Sequence, residues 1–178
     1  MCIRDSGYRW VVEGNDYLVF SNVAYGGQKI NDGEGLMHEN HDNSAVRDAK
    51  LINNTGNRYL CLWVMDIDGL LISGNKVTAG GAAINVLSNG RPVKNLTIIN
   101  NELLNGGINV NGNQLLNITV KDNKVKGDIS VTQNPPPNIV ISGNTHTDPI
   151  EGKLTVSDLC WAADNTGYAE VLPVVKPK

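Results

Sequence analysis

The run GEGLMHENHD, residues 33–42, brings together Glu34, His38, Glu39, His41 and Asp42, including two of the chain's three histidines. Side chains of these types carry protons to and from reacting groups. Glu39 and His41 are the first candidates for acid–base work, His38 is a further candidate base, and Asp42 a second carboxylate. The run RYLCLWVMDID, residues 58–68, adds Arg58, Trp63, Asp66 and Asp68. Glu39 with Asp42 or Asp66 could form the carboxyl pair of a glycosidic hydrolysis, which stands ~5–5.5 Å apart for retention and ~6.5–9.5 Å for inversion. Elimination instead needs a base, here His38 or His41, and a positive group such as Arg58 or Ca²⁺ to steady the developing anion. Asp42, Asp66 and Asp68 carry the oxygen ligands that Ca²⁺ takes. The indole of Trp63 offers a flat face for a sugar ring. Against these readings stands a plain one: acidic residues on turns are commonly just solvated, and Glu34 with Arg58 would make a surface pair worth ~0–1 kcal/mol. The His38-x-x-His41 spacing aligns two metal ligands on a helix but not where a strand runs into a turn, and no third ligand accompanies it. No metal site is assigned.

What must position these residues is legible in a recurring phrase. AKLINN, LLISGN, LTIINN, ITVKDN and IVISGN end at Asn54, Asn75, Asn101, Asn123 and Asn144, and YLVFSN, ending at Asn22, is a weaker sixth copy. Five residues before the Asn stand Ala49, Leu70, Leu96, Ile118 and Ile139. Three before it stand Leu51, Ile72, Ile98, Val120 and Ile141. The position between is mixed. Apolar residues two apart mark a strand with one buried face, and a return near every 22 residues marks a solenoid. Val77, Leu103 and Val125 follow their Asn by two. Then come Gly-rich turns and the triplets Ile84-Asn85-Val86, Ile108-Asn109-Val110, Ile129-Ser130-Val131 and Leu154-Thr155-Val156, with Leu36-Met37-His38 and Leu60-Cys61-Leu62 upstream. Each repeat therefore holds three short strands, which bury a face only when coils stack ~4.8 Å apart. The terminal Asn suits a left-handed turn position, and stacked Asn side chains would bond along the ladder.

The segments NLTIINNELLNGGINV (95–110) and NITVKDNKVKGDISV (117–131) resemble repeats of the pectate-lyase-like superfamily, and the resemblance spans residues 17–157. It implies an all-β fold, a single-stranded right-handed parallel β-helix of about six turns, in which LTI is the second strand, EL the third and INV the first. Enzymes of that superfamily bind glycan over the outer face of the first strand. The resemblance thus implies a secreted bacterial protein acting on polysaccharide, as a lyase or a glycoside hydrolase. The superfamily also contains tailspikes and adhesins, so a non-catalytic carbohydrate-binding solenoid is the alternative. No catalytic pattern of the family transfers residue by residue.

With Leu36 and Leu60 facing inward, Met37, Glu39, Cys61 and Trp63 are expected outward, Glu39 beside Trp63 and Glu34 beside Arg58. His41, Asp42, Asp66 and Asp68 then fall in the turn after the strand. Asn85 and Asn109, outward on later coils, join Trp63, Asp66 and Asp68 as candidates for binding substrate. The copy after Asn22 is ten residues longer than its neighbours, and solenoid insertions become loops on one face, often the binding face.

Bulk properties narrow the alternatives. The 178 residues suit one domain, with 19 Gly and a single Phe. A net charge of −3 without a basic stripe argues against nucleic acid. No apolar run approaches the ~20 residues of a membrane span. Cys2, Cys61 and Cys160 make no disulfide framework. The opening MCIRDS resembles adapter-derived sequence. Residues 1–6 are therefore expected to be a non-native leader, 7–160 the β-helix and 161–178 a capping tail, in which Pro173 and Pro177 oppose further strand pairing. On this reading the chain is truncated at its N-terminus and its export signal is not included, the place of action being extracellular, periplasmic or at the cell surface. No sequence feature sets an oligomeric state. The N-x-T triplets at Asn53, Asn95 and Asn117 are read as demands of turns and outward strand faces rather than as glycosylation sites.

Overall fold

Strands this short have too little surface to hold a face buried alone, and the chain resolves this by stacking them in three parallel sheets. A computed structural model describes residues 11–13, 16–17, 19–20, 23–24, 35–37, 46–57, 59–64, 66–78, 81–87, 90–132, 138–148, 152–156, 161–168 and 170–172. The long sheet takes Val11–Glu13, Val46–Ile52, Ile67–Ser73, Val93–Ile99, Leu115–Lys121, Ile139–Ser142 and Trp161–Ala163. The short sheet stacks two-residue strands, Asp16–Tyr17, Thr55–Gly56, Lys76–Val77, Glu102–Leu103, Lys124–Val125 and Thr145–His146. The third sheet runs through Gly35–Met37, Tyr59–Val64, Gly81–Leu87, Gly106–Asn111, Ile129–Thr132, Lys153–Val156 and Glu170–Leu172. The chain visits the three sheets in that order, coil after coil. This is an all-β parallel solenoid. Four coils carry a full seven-residue strand in the long sheet, with shorter strands continuing the stack at either end, so the regular part has about four turns rather than six.

The core is the set of columns set by sequence offset. Ala49, Leu70, Leu96, Ile118 and Ile139 pair in register, as do Leu51, Ile72, Ile98, Val120 and Ile141. Every one of these ten residues is buried. Val77, Leu103 and Val125 form the inward column of the short sheet. Ile84, Ile108, Ile129 and Leu154, with Val86, Val110 and Val131, form those of the third.

The terminal asparagines are buried and bonded head to tail. The Asn101 side-chain oxygen accepts from both the backbone N–H and the Nδ2 of Asn75, at 3.0 and 2.9 Å. The same pair of bonds links Asn54 to Asn75, Asn101 to Asn123, Asn123 to Asn144 and Asn144 to Asn165. The expected left-handed turn lies one residue earlier: positive φ falls on Asn53, Gly74, Asn100, Asp122, Gly143 and Asp164. A second set of left-handed residues, Asp48, Gly69, Asn95, Asn117 and Asn138, kinks the long strands six residues before each ladder Asn. All these positions hold Gly, Asn or Asp, the types that tolerate this region. At Gly143 there is a second reason, because a Cβ would collide with the Asp122 carboxylate of the preceding coil.

Three placements differ from those expected. Phe20 lies in a small antiparallel hairpin, Val19–Phe20 against Val23–Ala24, and the long-sheet strand above Leu51 is instead Val11–Glu13. Cys61 points inward and is fully buried, paired with Ile84. Leu60 is buried beside it, as Ala83 is beside Ile84 on the next strand, where the pairing shifts register between Ala82 and Ile84 and breaks simple alternation. The sheets also continue beyond residue 160, through Trp161–Ala163 and Glu170–Leu172.

Candidate functional site

The third sheet's outer face is built by alternation: with Ile84 and Val86 inside, Asn85 must face out. Asn85, Asn109, Ser130 and Thr155 pair in register and form one outward column. Asn109 Nδ2 donates to Asn85 Oδ1 at 2.8 Å, which fixes both amides. Beside them Leu87, Asn111 and Thr132 form a second outward column. Asn111 and Thr155 are exposed, while Asn85, Asn109, Ser130 and Thr132 are half-buried.

Asp66 and Asp68 sit elsewhere, where the chain turns from the third sheet into the long one. Asp66 has positive φ and an ion pair to Arg47 Nη2 at 3.0 Å, and its backbone carbonyl accepts from Arg47 Nη1 at 2.9 Å. Asp68 accepts from Asn95 Nδ2 at 2.7 Å. Both carboxylates thus tie one coil to the next. Arg47 escaped the sequence reading, although the offset that pairs it with Asp68 is the one that aligns the apolar columns. Asn95 continues outward as an exposed amide ladder, receiving a bond from Asn117, which receives one from Asn138, at 3.0 and 3.1 Å. That ladder and the left-handed kink account for the Asn of two N-x-T triplets.

Glu39, His38, His41, Asp42 and Arg58 lie outside the described residues, as does Glu34. Trp63 belongs to the strand Tyr59–Val64, between Leu62, which pairs with Asn85, and Val64, which pairs with Val86. Gly35–Met37 pairs with this strand, Gly35 with Tyr59 and Met37 with Cys61. Gly35–Met37 therefore belongs to the same sheet as Asn85 and Asn109.

Among the described residues no group of three or more His, Cys, Asp and Glu could hold a metal ion. Asp66 and Asp68 are engaged by Arg47 and Asn95, so the described part of the acidic set does not fit a calcium site. A shallow cleft of about 190 Å³ lies on the long sheet, between Asp48, Lys50, Leu71, Asn95 and Thr97. No helix among the described residues is long and apolar enough to cross a membrane.

A second polar cluster escaped the sequence reading. His146 continues the inward column of Val77, Leu103 and Val125 and is 3% exposed. Its Nδ1 accepts from the Asp148 N–H at 3.0 Å, so an imidazole in this arrangement carries its proton on Nε2. Tyr168 packs against it, ring centroids 5.2 Å apart. Neither His146 Nε2 nor the Tyr168 hydroxyl has a protein partner among the described residues. Burial, with the nearby Asp128 charge adding to it, pushes the Tyr168 hydroxyl well above the usual tyrosine range, so it stays protonated. Gly152 lies so close to the imidazole that a Cβ there would strike it.

Comparison with family models, curated proteins and solved structures gives no match for this chain.

Proposed function

We propose that the protein acts on polysaccharide, holding an extended chain across the outer face of the third sheet and cleaving it at that face's N-terminal end. The observation that carries this reading is the bonded pair Asn85–Asn109 in a continuous outward column with Ser130 and Thr155. Repeating amides and hydroxyls, one coil apart, suit the repeating hydroxyls of a linear glycan. For cleavage the supporting fact is the sequence concentration of Glu39, His38, His41 and Asp42 directly after Met37, with Arg58 just before Tyr59. Glu39 and His41 would move protons, Arg58 would orient or neutralise an anionic group, and Trp63 would stack on a sugar. Asp66 and Asp68 lie beside this end of the sheet. Membership of the pectate-lyase-like superfamily, export and a bacterial source belong to the same proposal and rest on the repeat motifs.

The test is incubation of the full chain with a panel of polysaccharides, following new reducing ends and, separately, ultraviolet absorbance of unsaturated products. Reducing ends with unsaturation indicate a lyase, and reducing ends alone a hydrolase. Glu39→Gln is expected to lower the rate by about 10²-fold or more if Glu39 transfers the proton. An unchanged rate removes Glu39 from the mechanism. Binding without any product favours the non-catalytic carbohydrate-binding solenoid.

A further inference from the structure

The outer face of the third sheet carries a second message, in what its side chains do not include. In the described coils its two outward columns present Asn85, Asn109, Ser130 and Thr155, then Asn111 and Thr132 with Leu87. None of these is charged. Among the described residues on the margin stand Asp128 and Lys153, of opposite sign, each directly before an inward residue of paired strands, and Glu170, which pairs in register with Lys153. Asp128 Oδ1 also accepts the Lys153 backbone N–H at 2.8 Å. The margin therefore adds no excess of positive charge.

A polyuronate carries a carboxylate on every sugar. Bringing such a chain against a half-buried surface strips water from those charges, at a cost that only nearby cations offset. The chain's net charge of −3 adds long-range repulsion at low salt. A neutral glycan meets no such penalty. Its hydroxyls are matched by amides and hydroxyls that both donate and accept. The Asn85–Asn109 bond fixes the two amides before any ligand arrives, which lowers the ordering cost of binding.

We infer that the third sheet's outer face selects neutral, uncharged polysaccharide over polyuronate. The inference rests on the proposed polysaccharide reading and deepens it: the anionic group that Arg58 serves is then a carboxylate of the acid–base set rather than one of the substrate, and without a uronate carboxylate beside the departing proton, elimination loses its activated substrate, and hydrolysis is the reaction that remains. In that step water adds across the glycosidic bond. The C–O bond breaks, the leaving oxygen takes a proton from an acid, and the water's oxygen joins the anomeric carbon as its proton passes to a base.

The experiment is affinity electrophoresis of the full chain through gels containing a soluble neutral β-glucan, a galactomannan or polygalacturonate, at about 0.01 M and about 0.3 M salt. Retardation by a neutral polymer, little changed by salt, is the expected result. Asn85→Ala and Asn109→Ala should each weaken it about tenfold, the loss of one or two net hydrogen bonds. Lys124→Ala, on the short sheet, should leave it unchanged. Asn109→Lys should shift preference toward polygalacturonate, in a manner that salt abolishes. Preferential retardation by polygalacturonate in the unaltered chain would overturn the inference while leaving the polysaccharide reading in place. Retardation by no polymer would overturn both.

Discussion

Two buried polar regions lie within a coil or two of each other and are solved differently. Along the inner turn, each ladder asparagine offers one oxygen to two donors of the neighbouring coil and spends its own amide on the next oxygen and on a backbone carbonyl, such as Leu51 O for Asn75 at 2.9 Å. At the end of the short sheet, His146 and Tyr168 bury a ring nitrogen and a hydroxyl with no protein partner among the described residues. A made hydrogen bond adds only ~0.5–1.5 kcal/mol net, whereas an unmade buried one costs ~1–3 kcal/mol. The ladder is therefore an element whose removal is expensive, and the His146 corner one whose removal is cheap. Polarity and burial are alike in the two places, and satisfaction is what differs.

Substitution is the way to break that comparison. Asn101→Leu should have the largest effect, because it takes the acceptor from the Asn75 N–H and from one N–H of the Asn75 side-chain amide, and the side-chain donor from the Ile72 carbonyl. At ~1–3 kcal/mol per buried group, partly relaxed, denaturant unfolding should show a loss of about 3–5 kcal/mol. Ile98→Ala, in the centre of an apolar column, should cost about 2–5 kcal/mol. His146→Val, which extends the run of Val77, Leu103 and Val125, should change stability by no more than about 1 kcal/mol. A large loss there would mean that the imidazole has a partner essential to the fold.

Tyr168 sharpens the contrast through pH. Its folded-state pKa is raised by burial and by Asp128, so the stability linked to its proton is fully present below the unfolded value of about 10 and is lost as pH rises beyond it. Tyr168→Phe should abolish that part of the alkaline loss and leave stability at neutral pH within about 1 kcal/mol. Asn117→Gly should do least. It keeps the left-handed backbone and removes only two exposed amide links, to Asn95 and from Asn138, so a change below about 0.5 kcal/mol is expected.

Much of this frame was legible because one offset governs everything. Once Leu51 and Ile72 are aligned, Ile98, Val120 and Ile141 follow, and so does the asparagine ladder. The misreadings have local causes. VVEGN at residues 11–15 and WAADN at 161–165 match the phrase as well as YLVFSN does, but Ala162 is a small residue at the register position of Ile141, and Val12 pairs with Leu51 from well beyond the usual spacing. Cys61 was placed outward by simple alternation, which a register shift defeats. The left-handed residue was assigned to the most regular Asn, whereas that Asn is regular because its side chain is buried in the ladder. The residue before it varies among Gly, Asn and Asp, all of which reach positive φ. His146 was passed over because one histidine in a column of aliphatics has no repeat to announce it. Of the candidate site, Asn85 and Asn109 stood out as polar residues between two inward ones. The inter-coil partners of Asp66 and Asp68 needed coordinates, since carboxylates on turns have no periodic signature.

The central claim, that successive coils are joined by a buried amide ladder in fixed register, is tested most directly by hydrogen exchange at the Asn101 backbone amide, before and after Asn123→Ala. That amide donates to the Asn123 side-chain oxygen at 3.0 Å. The expected result is slow exchange in the unaltered chain, near the rate of global unfolding, and a sharp acceleration confined to the neighbouring coils in the variant. Fast exchange in the unaltered chain, or the same rate in both proteins, would contradict it.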